Sequence, residues 1–257
     1  MVFDSIESKD PASALQAWYD TELGQSLLAT ERRMIERALL NVQGNRLLQV
    51  TLDGRQWFCD SARARHGVMV APKLELGMEE NSLIATPEEL PVQSAVIDIL
   101  VLHHALEFSE DPHQVLREAA RVLRPGGHLI LLGFNPVSLF GLHSKFKRAI
   151  AAPWSGRLLG ASRLTDWFKL LQLTSMNIHS DSYIYPIENS RWRGRFNFLK
   201  TLIKPIPLST GNLILMTARK DVAGMTPLRP VWNRRLLEPL RVIESKATST
   251  GVRRNRS

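Results

Sequence analysis

The stretch from Val96 to Phe134 admits very few folds. It opens with Val96 to Leu102, an almost unbroken apolar run that is β-branched at its start, as expected of a strand buried on both faces of a parallel sheet. Asp111 and Pro112 follow as a helix cap and a proline at the first helical position. Val115, Ala119, Val122 and Leu123 then share one helix face, and Pro125-Gly126-Gly127 ends the helix. His128 to Phe134 is the next buried strand. Strand, loop, helix, tight turn and strand in this order make a right-handed βαβ unit, which places the chain in the α/β class.

The flanking sequence fits one such core with appendages. Leu27, Leu28, Met34, Ile35, Ala38, Leu39 and Val42 recur at helical spacing, with Gly44 as a stop, so an amphipathic helix precedes the sheet and needs a surface to cover. Arg46 to Leu52 reads as a strand, Gly67 to Ala71 as a second and Ser82 to Ala85 as a third. Downstream, Ser162 is expected to cap a helix carrying Leu164, Trp167, Phe168 and Leu171 on one face, with strands near 175–182 and 211–218. The expected organisation is a helical extension over 1–45 packing on the core, a main domain over 46–220 and a basic, flexible tail over 221–257.

Charge narrows the function classes. Residues 1–142 carry 12 Lys/Arg against 19 Asp/Glu, and residues 143–257 carry 21 against 6, so the halves are −7 and +15. A basic second half suits either a solvated surface or contact with something anionic, whether nucleic acid, acidic membrane or acidic partner. Arg191-Trp192-Arg193-Gly194-Arg195-Phe196 and the terminal arginines extend that choice. The one cysteine, Cys59, rules out an internal disulfide, and Asp4, Glu7 and Asp10 at the start are unlike a secretory signal. No apolar run supplies the roughly 20 residues of a spanning helix, so the expected location is the cytoplasm.

The block Ala95 to Phe108, Asp111-Pro112, Leu116 to Gly127 and His128 to Leu132, preceded by Glu88-Glu89-Leu90-Pro91, resembles the fourth-strand to fifth-strand region of class I methyltransferases of the type 11 group. Within that superfamily the chain resembles a bacterial subgroup through Trp18 to Gly24, Gly133-Phe134-Asn135-Pro136 with Ser138, Arg163-Leu164 and Asp166-Trp167. The resemblance implies a Rossmann-like, mostly parallel sheet of seven strands with helices on both faces. It also implies S-adenosyl-L-methionine across the carboxyl ends of the first strands, where switch-point geometry places ligands in open α/β sheets.

Where the family carries an acid and several glycines after strand one, this chain has Gln49, Thr51, Asp53 and Arg55, with Gly54 alone remaining. Where acids follow strands two and three, it offers none nearer than Glu75 and has Thr86. On the residues themselves, Asp53-Gly54 suits a hairpin turn as well as a cofactor loop. The resemblance places Thr51, Asp53, Gly54, Thr86, Pro87, Glu88 and Leu102 beside the cofactor, His103 and His104 near the acceptor as candidate bases, and Asn135 on the substrate side. Packing of one histidine on the sheet, and a capped turn at Asn135, are the structural alternatives. Glu107 is the nearest acid to the histidines, and no metal ligand is assigned. The expected activity is methyl transfer to an acceptor that the sequence does not name. The alternative is an inactive methyltransferase-like binding or regulatory protein that contacts an anionic partner or membrane surface through its basic half.

Overall fold

The computed structural model describes residues 11–138, 141, 156–181 and 211–221. The chain divides into Met1–Ala223 and Gly224–Ser257, and every described residue lies in the first unit. The arginine and tryptophan stretch over 191–196 and the tail from 222 fall outside the described residues.

Seven strands form one sheet in the order β3-β2-β1-β4-β5-β7-β6. They are β1 (Arg46–Thr51), β2 (His66–Ala71), β3 (Ser82–Ile84), β4 (Ile97–His103), β5 (Leu123–Phe134), β6 (Leu173–Asp181) and β7 (Leu213–Lys220). The first five pair in parallel, and β7 runs antiparallel between β5 and β6. Both edges of β1 are therefore taken, by β2 and β4. This corrects the hairpin alternative at Asp53-Gly54: Arg55 to Phe58 has no free strand edge to join and runs as a loop.

Helix α1 (Pro11–Tyr19) and helix α2 (Glu22–Leu39) cover one face of the sheet. Leu15, Tyr19, Leu27, Ile35 and Leu39 pack there against Leu47, Ile99, Val101, Ile130, Leu132 and Leu215. Thr21 starts α2 by accepting a hydrogen bond from Gly24 N at 3.1 Å, so the helix begins five residues before Leu27, the first residue of the apolar stripe. Helix α3 (Pro112–Val122) and helix α4 (Ala161–Leu170) cover the other face, with Leu116, Ala119, Leu164 and Phe168 against Leu100, Leu102, Leu129, Leu131 and Met216. Asp111 caps α3 through His113 N and Gln114 N, and Pro112 occupies the first turn. Ser162 does not cap α4. Gly160 holds that position without a side-chain bond, and the helix has already begun at Ala161.

Parallel strands usually return through a helix. The segments 52–65 and 72–81 contain none, so α1 and α2 supply the apolar cover on the first face.

Candidate active site

The chain leaves β1 outward to β2 and β3, then returns past β1 to β4. The strand order thus reverses between β1 and β4, and a ligand crevice belongs at their carboxyl ends. A cavity of about 590 Å³ lies there, lined by Leu52 after β1, Pro72 after β2, Thr86, Pro87 and Glu88 after β3, Phe108 to Asp111 after β4, and Gln114 of α3. Its size suits a nucleoside-bearing cofactor. Glu88 is held in place by the Ser109 hydroxyl, and its carbonyl accepts from Gln114 Nε2 at 3.4 Å. Thr86, Pro87 and Glu88 lie together on one wall of the cavity. Leu102 is instead buried among the apolar side chains of the α3 face.

The loop after β1 is filled by the protein itself. Gln49, fully buried, donates from Nε2 to Gln56 O at 2.6 Å and accepts at Oε1 from Phe58 N at 2.9 Å. A carboxylate in its place has no proton for the Gln56 carbonyl, which accounts for the amide. Gly54 N donates to Glu75 Oε2 at 2.8 Å, and Gln16 of α1 donates to the other oxygen of the same carboxylate. A Cβ on Gly54 would stand 2.9 Å from Met78 Cγ. Asp53 is buried and paired with Arg55 at 3.0 Å. Thr51, Asp53 and Gly54 thus do not line the cavity, and Glu75 engages the loop. The cavity is large enough for the nucleoside part of S-adenosylmethionine, while the backbone at Gly54 is covered by Glu75 and Met78.

A second polar assembly sits between the end of β4 and α2. His103 and His104 are fully buried, and His104 has φ 51°, which turns two consecutive side chains toward the same helix. Glu31 of α2, also fully buried, receives both: Oε2 lies 3.1 Å from His103 Nε2, and Oε1 lies 3.2 Å from His104 Nε2. Tyr19 donates to Glu31 Oε2 at 2.9 Å. The far ring nitrogens are engaged too, His103 Nδ1 with Thr51 Oγ1 and His104 Nδ1 with Glu107 Oε1, each at 3.1 Å. Glu107 also accepts from Phe134 N at 2.7 Å, over Gly133, where a Cβ would collide with that carboxylate.

Burial opposes charging His104, yet the Glu107 and Glu31 carboxylates outweigh it and lift its pKa to about 10. Burial likewise opposes ionising Glu31, but the His104 charge and the bonds from both rings hold it down at about 2. Burial and the neighbouring His104 charge lower His103, so that ring is the neutral one. Tyr19 is raised by burial and by Glu31. Neither histidine lines the cavity, so the expectation that they face an acceptor is revised: their nitrogens are committed to α2 and its surroundings. Asn135 is likewise internal. Its side chain donates to Gly211 O at 2.9 Å and accepts from Val137 N at 3.0 Å, the capped turn of the structural alternative.

Glu31 is the residue that sequence reasoning missed. A signal was present, because Glu31 falls on the apolar stripe of Leu27, Leu28, Met34, Ile35 and Ala38, where a charge is out of place without a partner.

Comparison with known proteins follows the same lines. Residues 33–131 match the type 11 methyltransferase domain family. Among solved structures, an S-adenosylmethionine-dependent methyltransferase of Thermotoga maritima superposes with a TM-score of 0.57 at 18% identity, covering 81% of this chain and 96% of that one. Geranyl diphosphate C-methyltransferase of Streptomyces coelicolor, solved with S-adenosyl-L-homocysteine, gives 0.50 at 14% identity, covering 73% and 77%. The fold is that of the class I S-adenosylmethionine-dependent methyltransferases, and the matched segment carries their type 11 domain. The chain as a whole is similar to the uncharacterized protein YafS of Escherichia coli, 29% identical over 215 residues that span 83% of this chain and 84% of that protein. It is also similar to malonyl-[acyl-carrier protein] O-methyltransferase of Hahella chejuensis, 32% identical over 83 residues, 30% of that protein.

Proposed function

We propose that this chain transfers a methyl group from S-adenosyl-L-methionine to an acceptor, binding the nucleoside half of the cofactor in the crevice at the ends of β1 to β4. The observation that carries this reading is the cavity at the topological switch point, lined by Thr86, Pro87 and Glu88 on one side and by Phe108 to Asp111 on the other. When bound, the cofactor supplies an electrophilic methyl on a sulfonium centre. The chain's part is alignment, which is enough to accelerate a displacement without a residue that bonds to the substrate. Thr86 offers a hydroxyl and Glu88 a positioned carboxylate, and Leu52 and Phe108 supply apolar walls. His103 and His104, shut away from this cleft, are assigned to holding α2 against the strand end.

A second reading, a methyltransferase fold that binds without catalysing, is favoured by the covering of Gly54 by Glu75 and Met78. Calorimetric titration with S-adenosylmethionine and S-adenosylhomocysteine separates the two. Saturable micromolar binding that Thr86→Trp abolishes by filling the cavity supports the first. Absence of binding at millimolar ligand removes it and leaves the second, with an anionic partner of the basic half as the next target.

A further inference from the structure

We propose that Glu31, His103 and His104 form a binding site for one divalent transition-metal ion, zinc or a close analogue, that clamps α2 to the carboxyl end of β4. Each residue turns one ligand atom inward, and these atoms lie within 4.8 Å of one another. The two Glu31 oxygens stand 3.1 and 3.2 Å from the two Nε2 atoms. Ligands held at about 2.0–2.1 Å from a zinc ion are themselves roughly 3.0–3.4 Å apart, which matches the two carboxylate-to-ring distances here. Two imidazoles and one carboxylate, which spans both rings with its two oxygens, suit a transition metal and not magnesium or calcium.

The surroundings are those of a metal site. Ligating histidines generally give their other ring nitrogen to a carboxylate, carbonyl or similar group that fixes tautomer and orientation. Here His104 Nδ1 faces Glu107, which is itself anchored on Phe134 N, and His103 Nδ1 faces Thr51. The left-handed backbone at His104 has a cost, and its effect is to aim adjacent rings at one point. With Nε2 of each ring on the ion, the proton that each ring keeps sits on Nδ1, where His104 donates it to Glu107 Oε1. The His103 proton moves to Nδ1 and is donated to Thr51 Oγ1, whose own hydroxyl turns to Asp53 O, 3.4 Å away. Every ligand is fully buried and none lines the cavity, so the ion's part is to hold α2 on the strand end.

The test uses the full chain, stripped with chelator and titrated separately with Zn²⁺ and Co²⁺. One saturable equivalent is expected, and the cobalt form should show visible ligand-field bands without the near-ultraviolet thiolate transition that Cys59 ligation would give. Glu31→Gln should remove the site, and Glu107→Gln should weaken it about 10–100-fold. If Glu31→Gln does not fold, the wild type decides by itself: zinc raises its unfolding temperature and magnesium does not. No saturable zinc or cobalt binding at micromolar concentration overturns the proposal. So does binding that Glu31→Gln leaves unchanged, because the ion then sits on other histidines. Cofactor titration has no bearing on either outcome.

Discussion

At the scale of single residues, the buried polar side chains of Tyr19 and Gln49 each find a partner elsewhere in the chain, and each bond can be removed separately. Tyr19→Phe deletes one buried hydroxyl that donates to Glu31 and keeps the ring, which packs in the apolar cluster below α2. A loss of roughly 1.5–3 kcal/mol is expected in urea unfolding, the worth of a hydrogen bond to a charged acceptor. Gln49→Glu is a sharper test, because it restores the family's acid where the structure demands an amide. The new carboxylate faces the Gln56 carbonyl where Nε2 now donates at 2.6 Å, so a destabilisation of about 1–3 kcal/mol is expected from the uncompensated buried oxygen. If Gln49→Glu unfolds at the wild-type urea midpoint, the amide is not what holds the 56–59 loop. Gly133→Ala places a methyl against the Glu107 carboxylate and should cost about 1–3 kcal/mol by overpacking.

At the scale of elements, α2 does the work of the helices absent from the crossovers between β1, β2 and β3. Its stripe of Leu27, Met34, Ile35 and Leu39 is buried against β4, β5 and β7. Leu27→Ala should therefore lose about 2–5 kcal/mol, as a large-to-small change in a packed core does, while Leu40→Ala, on a side chain 66% exposed, should stay within about 0.5 kcal/mol. Comparable losses from the two would show that the helix is loosely docked. The helix was legible in the sequence because apolar spacing is a local property. Its partner surface was not, because the same stripe packs as readily on a bundle as on a sheet. Conversely, β3 was legible only as three or four apolar positions, and its place at the sheet edge comes from pairing with β2.

At the scale of the whole molecule, α1 and α2 share one apolar cluster with four strands, so these helices and the sheet should unfold together. Far-ultraviolet dichroism and tryptophan fluorescence, with Trp18 in α1 and Trp57 packed against the same cluster, should trace coincident transitions. Separate midpoints would mean that the helices come off before the sheet. Cofactor binding is linked to the same equilibrium: at a hundredfold excess over Kd, S-adenosylhomocysteine should stabilise the fold by about 2.7 kcal/mol, and no shift in midpoint would count against the proposed pocket. None of the described helices is long and apolar enough to cross a membrane. The sequence alone determined the α/β class and the βαβ unit from Val96 to Phe134, because both follow from local periodicity, caps and turn residues. Only the tertiary structure decided that Glu75 covers Gly54, that Gln49 pins the loop and that His103 and His104 meet Glu31. Those contacts join residues from 7 to 73 positions apart, and chain topology, not local preference, sets which of them become neighbours.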